Sequence, residues 1–572
     1  MMVSHRTPET ICSLRRQAIA PLLTRAKFLG LLSLIAFTQI AAPAVADTLR
    51  VPDDYVTIQS AIDAASAGDT VLVKPEIYRE RISIRNGVIV RSEGDDIKGK
   101  LGLKRAETTI IDGGGENGEG AGVTMAEGSV FDGFTVTNVG HYDEAEWERH
   151  HATQGKHQSH EHIGQPGTPG IGVVGVNCSI RNNIVHHIGY TGIAIQGVDG
   201  KSCTPRIHRN ICYRNMGGGI GSMKKSTAVI EENTCFQNFY AGIGHDDASP
   251  TVLNNNCYEN IRAGIGISEG ACPIVRGNKC YRNRRAGIGN RTGASTRPTI
   301  EDNACYENDM TGIGAEEHAS PIIRSNRCFR NKLAGIGSRT HATPTIIGNE
   351  CYENDTVGIG QDSDAVTMLI GNHCHHNKEA GIGFATCETG RSVVLRNRVI
   401  DNAKVAIGIN SGWQVSLLEN ELSREGGMPP IVMVFAGADA IFTDNVIRGG
   451  GVAGIRAAGK VRAVHNKFVG TSLRKAGPPN FAVWALPGSD ITMTGNTAHG
   501  WRHALHASEA TVHAIHNSVS NFQSVAFVVQ NSVSPAIVFG NTAASTNPRD
   551  TVLTISGKLG IVTDNHVVNS DR

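Results

Sequence analysis

The sequence predicts an all-β solenoid, a parallel β-helix, on three observations. The tripeptide Gly-Ile-Gly begins at Gly219, Gly242, Gly264, Gly287, Gly312, Gly335, Gly358 and Gly381, at intervals of 23, 22, 23, 25, 23, 23 and 23 residues. Between these marks runs Asn-x-Cys-aromatic-x-Asn, as in Asn278-Lys279-Cys280-Tyr281-Arg282-Asn283 and again at 303–308, 326–331 and 349–354. A proline precedes each of these copies, at Pro273, Pro298, Pro321 and Pro344. A unit of about 23 residues holds three short strands and three turns, whereas helical repeats need about 33 or more and propeller blades about 40.

Each repeated residue has a physical role in such a coil. Successive coils stack at about 4.8 Å, so equivalent residues form ladders. The Ile of Gly-Ile-Gly points inward and builds an apolar stack. The second Gly points outward and leaves a strip of bare backbone. The Asn residues suit turns, where their amides bond the backbone or the next Asn along the stack. Cys212, Cys235, Cys257, Cys280, Cys305, Cys328, Cys351 and Cys374 share one slot, and Val399, Leu422, Ile447 and Phe468 take it in later coils. That slot is therefore inward and apolar, and a buried, reduced, structural thiol is the expectation. Disulfides between stacked cysteines have poor geometry, and no Cys-x-x-Cys pair supports a zinc or redox site. Outside the core, Glu259, Arg282, Glu307, Arg330 and Glu353 alternate in charge, as do Arg284, Asp309, Lys332, Asp355 and Lys378, and Arg291, Glu316, Arg339 and Asp362. Such pairs are scaffold, each contributing about 0.2–1 kcal/mol.

The two ends need separate treatment. Residues 1–46 have the pattern of an export signal: a basic stretch to Lys27, an apolar run from Phe28 to Ile40, then Ala44-Val45-Ala46 before Asp47. Arg15-Arg16 leaves a twin-arginine route open beside the general one. Residues 47–572 then form one β-helix domain. At its start Thr57 caps a short helix with Ile58, Ala61, Ile62 and Ala65 on one face, ended by Gly68. This helix covers the open end of the first coil. Strands follow at 71–73, 82–84, 88–90 and 109–111.

Composition narrows the classes. The chain has 54 basic and 53 acidic side chains, a net charge of +1, so a nucleic-acid partner has no electrostatic basis. Its 67 glycines in 572 residues lack a Gly-X-Y period, which excludes collagen. No later segment reaches 18 apolar residues, so no integral membrane span is expected after signal removal.

The run Asp53-Asp-Tyr-Val-Thr-Ile-Gln-Ser-Ala-Ile-Asp-Ala-Ala, then Gly68-Asp-Thr-Val-Leu-Val and Ile110-Ile-Asp-Gly, resembles the start of right-handed parallel β-helix proteins of the pectin-lyase-like superfamily. The Asn-x-Cys/Val-x-x-Asn coils resemble that group's carbohydrate-binding and sugar-hydrolase repeats, shared with NosD-like proteins and alginate epimerases. The resemblance implies a right-handed coil and a polysaccharide partner. It does not choose among lyase, epimerase, hydrolase and non-enzyme. The calcium and arginine set of pectate lyases, the Asp-Pro-His-Asp motif of alginate epimerases and the aspartate series of polygalacturonases are missing from the sequence.

Two segments are candidate sites. The first breaks the repeat at about 140–170, from His141 to His162, with six histidines in 22 residues. Long loops on rigid stacks commonly carry function. His150, His151, His160 and His162 are its candidate ligands for a divalent metal, and His160-x-His162 is a short chelating pair. His186, His187 and Tyr190 follow as candidate acid–base residues. The second is His245-Asp246-Asp247, directly after a Gly-Ile-Gly, with Asp246 expected outward; paired carboxylates there suit glycosidic acid–base work or calcium. The functional expectation is an exported, secreted or periplasmic, β-helix that binds or modifies an acidic polysaccharide. If enzymatic, a His or Tyr of 141–190 abstracts a proton beside a uronate carboxylate that a metal or Arg neutralises. A non-catalytic glycan- or protein-binding β-helix and a NosD-like metal-handling factor are the alternatives.

Overall fold

The computed structural model describes residues 46–95, 98–153, 167–474 and 477–569. Apart from Ala46, the expected leader lies outside the described residues, as do His157, His160 and His162. The rest is a right-handed parallel β-helix of about 22 turns. Each regular coil has three strands, illustrated by Ile274–Arg276, Lys279–Tyr281 and Ile288–Asn290. They are called here the entry, Cys and Gly-Ile-Gly strands. Each pairs in parallel with its equivalent one coil on: Val275 with Ile300, Cys280 with Cys305, Ile288 with Ile313.

The inward ladders are as the sequence implies. Ile220, Ile243, Ile265, Ile288, Ile313, Ile336 and Ile359 are fully buried, and so are the eight cysteines from Cys212 to Cys374. All eight are free thiols; burial pushes Cys235, Cys280 and Cys328 well above the usual thiol range, and the neighbouring Cys351 thiol, then burial, does the same to Cys374. Val399 pairs with Cys374 in the same slot, the apolar continuation that the sequence anticipates.

Two asparagine ladders hold the corners. At the first, Asn278 Nδ2 donates to Asn303 Oδ1 at 3.0 Å, and Asn303 Nδ2 donates to Asn326 Oδ1 at 2.9 Å. The same Oδ1 atoms accept backbone N–H bonds from the coil before, as from Asn278 and Asn303 at 2.9 Å each. The second ladder repeats the device, with Asn308 Nδ2 on Asn331 Oδ1 at 2.9 Å and on the Cys280 carbonyl at 3.0 Å. The residue before each Asn is left-handed: φ is 56° at Asp302 and Ser325, and 55° at Glu307. A non-glycine residue there costs about 1–2 kcal/mol. The satisfied amides offset that cost and keep every corner the same.

The first glycine of Gly-Ile-Gly proves as demanding as the second. A Cβ on Gly287 would stand 2.6 Å from the Gly312 carbonyl oxygen and 3.0 Å from Cys305 Cβ. Only glycine permits that approach. At the N-terminal end the capping helix α1, Ile58–Ala64, has Thr57 as its N-cap in a reciprocal box with Ser60, and Ile58, Ala61 and Ile62 are buried. Its orphan amides at Ile58 and Gln59 donate to Glu80 at 2.9 and 3.0 Å.

Candidate functional site

The outward glycines make the floor of a long groove. Nine successive coils, from Gly221 to Gly408, line it. At ~4.8 Å per coil the floor runs about 40 Å along the stack axis. The open cleft measures about 850 Å³. Added side chains would project into it: a Cβ on Gly244 meets nothing within 4 Å, and one on Gly289 comes no nearer than 3.9 Å to any atom. One wall is the position two before the Gly-Ile pair of a coil, which brings Tyr190, Tyr240, Arg262, Arg285, Met310 and Leu333 into line. The other wall follows the strand and carries Asp246, Ser268, Arg291, Glu316, Arg339 and Asp362.

The groove is not uniform along its length. Arg262, Arg285 and Arg291 face one another near its start. Arg262 is 6% exposed, and burial, then Arg285 and Arg291, bring its pKa down to about 9. Arg285 is lowered likewise by burial and Arg291, with Glu316 opposing. The Arg262 guanidinium lies 5.7 Å from the Tyr240 ring centre. In the same stretch Asp246 is half-buried, and burial, then Glu269 and Asp247, hold its carboxyl above the ordinary carboxylate range. Its charge reaches Tyr190, whose phenol is raised first by burial. Farther on, Arg339 pairs with Glu316 at 2.5 Å, one rung of the expected charge ladder.

The sequence candidates therefore separate. Tyr190 and Asp246 line the groove together. Asp247 sits at φ 49° beyond the strand and is ion-paired with Lys225. His245 alternates inward, as the strand period requires. It is 3% exposed, both ring nitrogens lack a partner, and burial brings its pKa down to about 3. It borders the groove only from the core side. His186 and His187 lie on the Cys-strand side and do not line the groove. His186 begins a stack of outward rings, 4.9 Å from Tyr213, and its Nδ1 is 2.7 Å from His187 Nδ1. Burial brings His186 down to about 4.

Among its described residues the insertion carries a helix where a loop is expected. After the short helix α2, Lys104–Thr108, comes helix α3, Glu144–Ala152, capped by Asp143, whose carboxylate accepts the Glu146 N–H at 2.9 Å. Trp147 is buried against Phe239 and Ile261, with Met216 and Tyr240 beside them. Its indole donates to the Gln237 carbonyl at 2.9 Å, and Arg214 stacks 4.1 Å above the ring. Tyr240 also lines the groove, so α3 buttresses that wall from behind. His150 is buried edge-on to Phe239, with ring centres 4.8 Å apart and Nε2 2.8 Å from Glu146, and His151 stacks on Trp147 with Nε2 3.2 Å from Arg284. These contacts engage both rings in docking α3, and the two are not drawn into a ligand cluster among the described residues. His160 and His162 lie outside those residues.

A His/Glu cluster does exist elsewhere. Glu350, His373 and His375 place their ligand atoms within 4.8 Å of one another on the Cys-strand face. Sequence reasoning passed over it, although His373-x-His375 has the same chelating spacing as His160-x-His162. It also passed over the arginines two before Gly-Ile-Gly, which only the repeat alignment, read column by column, makes visible.

Comparison with known proteins agrees on the fold. A model described as "Right handed beta helix region" matches residues 162–297 and 290–432. No curated protein matches the chain. Among solved structures, the A-module of the mannuronan C-5 epimerase AlgE6 of Azotobacter vinelandii is 16% identical, covering 67% of this chain and 94% of that one, at a TM-score of 0.33. The periplasmic alginate epimerase AlgG is 14% identical, covering 66% and 77%, at 0.26. The pre-mature bacteriophage phi29 gene product 12 is 10% identical, covering 89% and 71%, at 0.42. The chain thus has the fold of a right-handed parallel β-helix, matched by that family model over the two stretches given.

Proposed function

We propose that this protein is an exported β-helix whose glycine-floored groove binds an acidic polysaccharide. The observation that carries this reading is the Arg262, Arg285 and Arg291 trio on a floor about 40 Å long. Guanidiniums recognise carboxylates through paired N–H donors. Burial first, and then their mutual repulsion, lower Arg262 and Arg285, and a bound anion offsets both effects. An open trough suits an extended chain, and Tyr240 and Tyr190 offer faces and hydroxyls to sugar rings.

The test is binding of alginate, polygalacturonate and neutral dextran by affinity electrophoresis. Arg262→Ala combined with Arg285→Ala should weaken binding of the acidic polymers by at least tenfold. Added salt should weaken wild-type binding as well. Equal binding of dextran, or no change in the double variant, contradicts the reading.

A second reading, proton chemistry on a uronate, has its own observation. Asp246 and Tyr190 face the arginine end of the groove, and Asp246 holds its proton above the usual range. Such a carboxyl serves as an acid or base nearer neutral pH than an ordinary one. Incubation with uronate polymers in heavy water, with and without chelator, separates the outcomes. Deuterium uptake without shortening indicates epimerisation, shortened unsaturated chains a lyase, and shortened saturated chains a hydrolase. Asp246→Asn should abolish whichever occurs, and no change in any polymer leaves binding alone.

A further inference from the structure

We propose that Glu350, His373 and His375 form a binding site for a divalent transition metal of the zinc class, clamping two adjacent coils. The site is independent of the polysaccharide reading, because none of the three lines the groove. His373 and His375 lie on one strand, His373–His375, with Cys374 buried between them. The strand period therefore puts both imidazoles on the outer face. Glu350 is the in-register partner of His373 one coil earlier. Its carboxylate oxygen lies 3.4 Å from His375 Nε2. Donors bound at about 2.0–2.1 Å around a tetrahedral zinc are separated by ~3.3–3.4 Å, so that gap is an edge of such a site.

The donors are held in place. The His375 ring stacks on Tyr352 at 5.1 Å and 1°. His375 Nδ1 is 2.8 Å from His376 Nδ1, a contact that lets Nδ1 donate and leaves the Nε2 lone pair for the ion. This is the outer-sphere support that ligating histidines ordinarily have. Arg398 Nη1 stands 3.3 Å from His373 Nε2, while Arg398 Nε contacts Glu421 at 3.2 Å. The ion takes the place of that guanidinium, which retains Glu421. With three protein donors, a fourth position is left to water. Two imidazoles and one carboxylate select zinc, cobalt, nickel or copper over calcium or magnesium.

The test uses the full-length chain, stripped with chelator and titrated with Zn²⁺ by calorimetry and with Co²⁺ by visible absorption. Wild type should bind one equivalent more than the His373→Gln/His375→Gln double variant, and its Co²⁺ complex should show tetrahedral bands that the variant lacks. Glu350→Gln should weaken this equivalent at least tenfold. Arg398→Met should tighten it, a gain that loss of folding cannot produce. Equal stoichiometry in wild type and double variant overturns the proposal. So does a cobalt–thiolate charge-transfer band in place of the tetrahedral bands, since it would assign the ion to the cysteines.

Discussion

Replacing Asn303 by Ala tests whether the asparagine ladder holds the coils together. Asn303 makes four ladder contacts. Its Oδ1 accepts the Asn278 backbone N–H at 2.9 Å and Asn278 Nδ2 at 3.0 Å. Its Nδ2 donates to the Val275 carbonyl and to Asn326 Oδ1, both at 2.9 Å. After substitution Asn278 Nδ2 keeps the Val252 and Arg276 carbonyls, and Asn326 Oδ1 keeps the Asn303 N–H. The Asn278 N–H keeps nothing, and Asn278 is fully buried. An orphaned buried donor costs about 1–3 kcal/mol, and a lost bond whose partners are otherwise satisfied about 0.5–1.5. Over one orphan and three such bonds the loss is at least about 2.5 kcal/mol. A solenoid confines such a loss to neighbouring coils, so hydrogen exchange resolves it better than a global melt. Amides of residues 275–306 should exchange about a hundredfold faster, while those near residue 460 stay unchanged. Asn303→Asp should be worse than Ala, because it sets an acceptor against the Val275 carbonyl and Asn326 Oδ1 in a buried site. Unchanged protection in the alanine variant, or an aspartate variant as stable as wild type, refutes the account.

Three further outcomes follow from the same geometry. His245 is buried with two unpartnered nitrogens and pairs in register with Ile267, so His245→Ile should stabilise the protein by about 1–3 kcal/mol at pH 7.5. Its folded pKa, about 3, lies below the ordinary 6.5, so the unfolded chain binds the extra proton. Stability is therefore full above pH 6.5 and is lost at up to ~1.4 kcal/mol per unit as pH falls toward 3. Denaturation at pH 7.5, 6, 5 and 4 should show a shallower acid limb in the isoleucine variant, and identical limbs contradict the assignment. The two glycines of one tripeptide should behave oppositely: Gly289→Leu leaves folding intact and blocks the groove, whereas Gly287→Ala forces a Cβ against the Gly312 carbonyl and unfolds the coil. Circular dichroism and polymer binding on the pair check this. Ellman's reagent on native protein should modify exposed Cys272 readily and the ladder thiols from Cys212 to Cys374 only after unfolding.

The architecture is legible in the sequence because a solenoid is nearly one-dimensional. Each coil contacts its neighbours, so period and slot chemistry alone give the Ile, Cys and Asn ladders, the α1 cap and the bare glycine strip. The capping residue Thr57 and the apolar substitutes Val399 and Leu422 can be read residue by residue for the same reason. The site is different, because it depends on contacts the period does not encode. Strand alternation assigns Asp246 outward and turns its neighbour His245 toward the core. Tertiary packing alone decided that Trp147 anchors a helix behind the groove wall, which engages His150 and His151 in docking. Arg262 and Arg285 share one slot of adjacent coils, which the repeat encodes, whereas the burial that sets them beside Arg291 is a property of the folded groove. Glu350 and His375 lie 25 residues apart and meet at 3.4 Å because one full coil returns the chain to the same face. Local sequence sets what each slot can bury or expose. Which exposed side chains converge is set by the corners and insertions that bring separate coils together.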